Sequence, residues 1–327
     1  MRLLKVSGHL ASAGLVGLIA LDVVLVGAAL RSNSFSVTDA GSISSAETAA
    51  TAKASTAPSD AVDGSTSTSS PSSGPSKVAP VTAAAGAAPL QVMLVAIDDR
   101  LAWRVRAGSC SAGGATLATT SDGGTTWVDG KTPLRSIVRI RPSTGQTAFV
   151  VGAGSDCVAD LKSTTDGGGT WGSTTTVGAA WFRDPKNATV VGGPGTVTAQ
   201  PCADLAVLDL AALSPSAARV LCADGRVRST ANTGSSWTDS GQVSGAVALA
   251  VPSASPAQTY VARLDAPDCA GVQVERVDQT AATSCVKTAV PTGAGQISLS
   301  LVGGGGWLAI GETTMRSTDD LVTWSVS

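Results

Sequence analysis

The chain has 327 residues and a formal net charge of −2, and only 14% of its residues are charged. A nucleic-acid binder needs a basic excess to displace counterions from phosphates, so that partner class is excluded. The single His, His9, lies beside the N-terminal apolar segment, which removes His base catalysis and His metal ligation from the rest of the chain; no cofactor is expected.

In chain order, the first element is the apolar run Leu10 to Leu30, interrupted only by Asp22. As a helix it is long enough to cross a bilayer. Arg2 and Lys5 precede it, which puts the N-terminus in the cytoplasm and the remainder outside. Residues 1–31 therefore read as a cytoplasmic stub and transmembrane anchor, and the alternative is secretion after cleavage of a signal peptide near Val26-Gly27-Ala28. Residues 32–89 are rich in Ser, Thr, Ala and Pro, as in STSTSSPSSGPSKVAP. Such a composition cannot bury enough apolar surface to offset its chain entropy and is expected to be a disordered spacer.

Residues 90–327 carry four octapeptides of one pattern: TSDGGTTW from Thr120 to Trp127, TTDGGGTW from Thr164 to Trp171, TANTGSSW from Thr230 to Trp237, and STDDLVTW from Ser317 to Trp324. Each has Ser or Thr first, Asp122, Asp166, Asn232 or Asp319 third, and Trp eighth. Gly124, Gly168 and Gly234 stand fifth, where the last copy has Leu321. The pattern suits a hairpin in which the third side chain accepts turn N–H groups and glycine takes a left-handed conformation. It resembles the Asp-box, or BNR, repeat of sialidases and other propeller proteins. That resemblance implies an all-β fold, a β-propeller with the boxes in blade hairpins. The third positions are spaced 44, 66 and 87 residues apart. A blade takes roughly 40–50 residues, so the longest interval conceals a blade without a box and the middle one a shortened blade. Strand-like runs at Ala102–Val105, Thr147–Val151, Ala188–Val191, Ala218–Leu221, Thr259–Ala262 and Trp307–Ile310 read as the second strands of six blades, with five or seven as alternatives. Whether the last strand completes its own blade or pairs with residues before 91 is left open.

Six cysteines, all within this region and without a CxxC pair, read as disulfides in an exported domain. Neighbouring positions in the repeat suggest Cys110–Cys157, Cys202–Cys222 and Cys269–Cys285. Resemblance to sialidases also implies an arginine trio, a Tyr–Glu nucleophile pair and an Asp acid/base, with the boxes away from the site. Only Tyr260 and Glu275 could supply the pair, and Phe182-Arg183-Asp184-Pro185 is a partial echo of the arginine motif. The boxes match; the catalytic set does not. Asp98, Asp99, Asp184 and Asp224 read as turn residues. Arg104, Arg106, Arg139, Arg141 and Arg183 are candidate anion ligands if several face a central channel, Arg139, Arg141 and Arg183 foremost, and Trp181, outside any box, is a candidate exposed aromatic. The sequence reads as a tethered, extracytoplasmic, non-enzymatic binding or scaffolding module for an envelope protein or glycan. The alternatives are a divergent glycosidase and an assembly factor for a membrane complex.

Overall fold

The computed structural model describes residues 88–327 except 174–176, 196, 280–281 and 291–294. The expected anchor, Asp22 and nearly all of the spacer lie outside the described residues. Among the described residues no helix is long and apolar enough to cross a membrane. The architecture is a six-bladed, all-β propeller. Blade 1 comprises β1 (Val92–Ala96), β2 (Ala102–Arg106), β3 (Thr116–Thr120) and β4 (Val128–Gly130). Blade 2 comprises β5 (Ser136–Pro142), β6 (Ala148–Ala153), β7 (Ala159–Thr164) and β8 (Gly172–Ser173), and blade 3 β9 (Phe182–Arg183), β10 (Val191–Gly192) and β11 (Thr198–Ala199). Blade 4 comprises β12 (Val207–Ala212), β13 (Ala218–Cys222), β14 (Arg226–Thr230) and β15 (Thr238–Gln242), and blade 5 β16 (Ala246–Ala250), β17 (Tyr260–Arg263), β18 (Gly271–Arg276) and β19 (Ala282–Lys287). Blade 6 comprises β20 (Ile297–Val302), β21 (Gly305–Ile310), β22 (Thr313–Ser317) and β23 (Ser325–Val326). Each sheet is an antiparallel meander in chain order. The inner strands meet in the ring order β1, β5, β9, β12, β16, β20 and back to β1. Each blade buries both faces on its neighbours, which is why β16 reads Ala-Val-Ala-Leu-Ala and is buried at every position.

The C-terminal strand completes its own blade: β23 pairs with β22. The ring therefore closes between blades 6 and 1 by side-chain and turn contacts rather than by a shared sheet. Ser298 Oγ accepts Leu94 N–H and Ser300 Oγ accepts Ala96 N–H, both at 3.0 Å. Trp307 Nε1 donates to Asp98 O at 3.0 Å, and Gln91 N donates to Gly295 O at 2.8 Å.

The four octapeptides form the hairpins between third and fourth strands of blades 1, 2, 4 and 6, and all four fold alike. In the first, Thr120 Oγ1 donates to Asp122 Oδ1 at 2.8 Å, and Asp122 accepts from Thr126 N at 3.0 Å and Thr126 Oγ1 at 2.6 Å. The same bonds recur around Asp166 and Asp319. Asn232 keeps the geometry by donating from Nδ2 to Ser236 Oγ at 2.8 Å. Positions four and five have positive φ in every copy, including Thr233, Asp320 and Leu321, where no glycine relieves the backbone. The reason lies in position four. Its N–H donates to the turn between first and second strands of the same blade: Gly123 to Arg100 O at 3.0 Å, Gly167 to Gln146 O at 2.8 Å, Thr233 to Ser216 O at 2.8 Å and Asp320 to Gly304 O at 2.6 Å.

A second set of tryptophans links the blades forward. Trp103 Nε1 donates to Thr144 O at 3.1 Å, Trp181 Nε1 to Ser214 O at 3.0 Å and Trp307 Nε1 to Asp98 O, each on the first turn of the following blade. All three rings are buried. This corrects the expectation for Trp181, which is 1% exposed and meets Trp237 edge-on at 6.0 Å. It also corrects the strand count in blade 3. Trp181 leads into β9 as Trp103 and Trp307 lie in β2 and β21, so β9 is equivalent to a second strand and β10 to a third. The run Ala188–Val191 is thus the approach to a third strand, not a second one. Among the described residues blade 3 has no equivalent of a first strand, and β9, running opposite to the other inner strands, takes its place at the channel.

Disulfides join Cys110 to Cys157, Cys202 to Cys222 and Cys269 to Cys285, and no cysteine is free among the described residues. Closing loops of 16 to 47 residues contributes about 3–4 kcal/mol each in the chain-entropy account. Three disulfides point to an extracytoplasmic or secreted domain.

Hydrogen bonds from Thr126, Thr170 and Thr323, side chain first and then backbone, bring Asp122, Asp166 and Asp319 down to about 2. Folded values below the ordinary carboxylate value mean that the turns add stability above about pH 4 and lose it as pH falls toward about 2. Replacing all three by Asn, the residue already present at 232, should leave the fold intact at pH 7 and flatten acid unfolding across that window, followed by circular dichroism. An acid transition unchanged by the triple substitution would contradict the assignment.

Candidate functional site

The six inner strands enclose a central cavity of about 370 Å³. One end is closed by the lead-in residues. Leu90 is buried, and its N–H donates at 3.1 Å to Leu208 O on β12, the blade opposite β1 in the ring. Its carbonyl accepts from Arg183 Nη2 at 3.4 Å. The cavity extends to the C-terminal ends of β1, β5, β12, β16 and β20, where Ile97, Pro142, Ala212 and Val302 line it. That end carries the octapeptide turns. The cavity is thus a cup opening on the same face as those turns, whereas the sialidase resemblance implied a site on the opposite face.

Charge within the cup is confined to one side. Arg139 and Arg141 come from β5, Arg183 from β9 and Asp209 from β12. Arg139 Nη1 donates to Trp181 O, tying blade 2 to blade 3. Burial, with Arg141 beside it, lowers Arg139 to about 10, so it stays cationic at neutral pH. Arg183 is 6% exposed, and the bond to Leu90 O is the one protein hydrogen bond its side chain makes among the described residues. Burial lowers its pKa and the nearby Asp209 carboxylate opposes that shift. Arg141 stands exposed at the rim, and its side chain has no ion pair or hydrogen bond among the described residues. Asp209 is raised by burial, partly offset by Leu249 N–H, the Arg183 charge and Leu210 N–H. Its two oxygens accept Leu210 N–H at 2.7 Å and Leu249 N–H at 2.8 Å, so this carboxylate stitches blade 4 to blade 5.

The structure brings Arg139, Arg141 and Arg183 together on the channel and sets the remaining candidates elsewhere. Trp181 lies between blades 3 and 4. Tyr260 and Glu275 sit on β17 and β18 of blade 5, where Glu275 is buried with Arg263 at 3.4 Å and accepts from Gln273. Neither lines the cup. Asp98, Asp184 and Asp224 accept N–H groups of their own turns. Arg104 lies over the Trp127 ring at 4.5 Å and Arg106 pairs with Glu312, both away from the channel. Asp209 was not among the expected site residues. Its one signal in the sequence is an acid inside the apolar run Ala206–Ala212, where a strand buried on both faces leaves no room for an unpartnered charge.

No family model matches the sequence, and no curated protein matches it. Among solved structures the chain is similar to a GH74 enzyme from Niastella koreensis, with 14% identity over 72% of this chain and 46% of that one and a TM-score of 0.40. It is also similar to the six-bladed β-propeller lectin of Aleuria aurantia, with 11% identity over 72% of this chain and 95% of that one and a TM-score of 0.46. A third is YCF48 from Cyanidioschyzon merolae, with 14% identity over 73% of each chain and a TM-score of 0.27. The chain spans about half the length of the GH74 enzyme, 46%. At these identities and scores the three carry no argument about ligand or activity.

Asp209→Ala leaves Leu210 N–H and Leu249 N–H without their acceptor, at a cost of about 1–3 kcal/mol for each group left unsatisfied. Chemical denaturation should show a loss in that range, larger than for Asp98→Ala on the exposed first turn. Equal, small losses from both would remove Asp209 as a stitch between blades.

Proposed function

We propose that the chain is a tethered, extracytoplasmic Asp-box propeller that acts as a non-enzymatic binding or scaffolding module toward envelope proteins or glycans, and that its cup is an anion-binding site. In this reading Leu10 to Leu30 is the anchor, residues 32–89 are the spacer, and residues 90–327 are the displayed domain. One observation carries the proposal. Beyond the bonds from Arg139 to Trp181 O and from Arg183 to Leu90 O, the cup presents guanidinium donors without protein acceptors among the described residues, beside a single lining carboxylate, Asp209, whose oxygens are already engaged by backbone N–H groups. Arginine donors in that state bind an anionic group through charge-assisted, bidentate contacts. Hydrolysis of a glycoside asks for two carboxylates across the bond, and the cup lining supplies one. Turns of the box type on the open face hold the rim of the cup rigid, which lowers the entropy cost of binding.

Two assays on the full chain test this. A panel of fluorogenic glycosides should release no fluorophore above background. A panel of small carboxylates and sulfates should include at least one that binds saturably, and Arg139→Ala with Arg141→Ala should weaken it at least tenfold. Glycoside turnover abolished by Asp209→Asn would overturn the non-enzymatic reading.

A further inference from the structure

The two sides of the cup differ in chemistry. Arg139, Arg141 and Arg183 occupy the walls of blades 2 and 3. Opposite them around the ring are β16 and β20, and β1 continues that wall between β20 and β5; the lining residues there are mainly aliphatic: Val251, Leu301 and Val302 toward the rim, Ile97 beside them, Leu299 deeper. Ser298 and Ser300 on that side already accept Leu94 and Ala96 N–H groups. Phe182 is the one aromatic residue in the lining, and no Trp, Tyr, Asn, Gln or Glu contributes to it among the described residues. A sugar presents many hydroxyls and flat apolar faces. Its sites need several neutral planar polar side chains and an aromatic platform; the wall of β1, β16 and β20 carries neither among the described residues, and Phe182 lies on the arginine side. An aliphatic chain needs only apolar surface, at about 25 cal/mol for each Å² buried.

We propose that the cup holds a small aliphatic carboxylate, its charge against Arg139, Arg141 and Arg183 and its hydrocarbon chain against the aliphatic wall of β1, β16 and β20. The inference rests on the reading of the cup as an anion site and narrows the body that follows the anion. The ligand enters from the face of the octapeptide turns, because Leu90 bridges the other end. Arg141 at the rim meets the carboxylate on entry. Arg183, buried at the floor with donors to spare, either receives it directly in the fully seated state or sets the field that draws it inward.

The test titrates octanoate, octanol and glucuronate into the full chain and into its Arg141→Ala variant in the same membrane-mimetic preparation, so that uptake by lipid or detergent cancels. Octanoate should bind saturably, at least tenfold more tightly than octanol or glucuronate, and Arg141→Ala should weaken it at least tenfold with the thermal transition unchanged. Glucuronate binding as tight as octanoate and equally sensitive to Arg141 would overturn the aliphatic ligand and leave the anion site standing. Octanol binding as tightly as octanoate would overturn the role of the charge. If neither anion prefers the native chain over the variant, the anion site and the ligand class both fall.

Discussion

The fold depends on how turn backbones are satisfied at the junctions within and between blades. A blade of short strands buries its flat faces by the hydrophobic effect, but its turns carry N–H and C=O groups that a neighbouring blade would otherwise desolvate. Here those groups are paired by repetition. The fourth residue of each octapeptide donates to the first turn of its own blade, and an indole N–H from the preceding blade reaches that same turn at Asp98 and Ser214. The positive φ of Thr233, Asp320 and Leu321 shows the strength of this demand, since a non-glycine residue accepts a strained backbone to keep the bond. Ring closure obeys the same logic. With no strand exchanged between blades 6 and 1 among the described residues, hydrogen bonds at Ser298, Ser300, Trp307 and Gln91 join them, together with apolar packing of Val92 and Leu94 on Trp307 and Ala309.

The two faces of the propeller are fastened by different means. The open face has the octapeptide turns. The opposite face has the Leu90 bridge, and the loop disulfide Cys110–Cys157 joins blades 1 and 2 there. Cys269–Cys285 lies within blade 5, which has no octapeptide, and Cys202–Cys222 fixes the connection out of blade 3, which also has none. Two of the three disulfides thus fall at blades where the hydrogen-bonded turn is missing. Blade 3 is the weak sector of the wall, with strands of two residues, and the charged groups of the cup cluster around it on β5, β9 and β12. A thin blade lets long side chains such as Arg139 and Arg183 fill space that strand backbone occupies elsewhere, so the defect in the repeat and the polarity of the cup have one origin.

Much of this was legible in the sequence. Asp122 and Trp127 sit in an octapeptide whose Thr and Asp side chains bond within eight residues, so local chemistry revealed the turn, its recurrence and, by spacing, the six blades. Blade 5 could be counted although it lacks an octapeptide, because Thr259–Ala262 keeps a strand pattern. Blade 3 could not be read correctly. The strand after Trp181 is two residues long, too short for periodicity to register, and Ala188–Val191 offered a better run of strand formers. The missed signal was Ala-Trp or Gly-Trp at 102–103, 180–181 and 306–307, a second tryptophan repeat out of phase with the first. The cup itself was only partly legible. Arg139, Arg141 and Arg183 could be singled out by type, but Asp209 and the aliphatic wall join them through contacts between strands up to 204 residues apart, as in Leu94 with Ser298.

The functional reading inherits its force from that rigid ring, since a cup whose rim is pinned turn by turn can hold donors in place without a ligand to organise them. The most direct measurement is amide hydrogen exchange at Gly123, Gly167, Thr233 and Asp320. These amides sit in solvent-facing turns, yet the account has each one bonded to a carbonyl of the adjoining turn, so their exchange should be as slow as that of core amides such as Val105 and Val220. Exchange at the rate of ordinary surface loops, in all four at once, would show that the turns do not pin the blades and would contradict the architecture at its base.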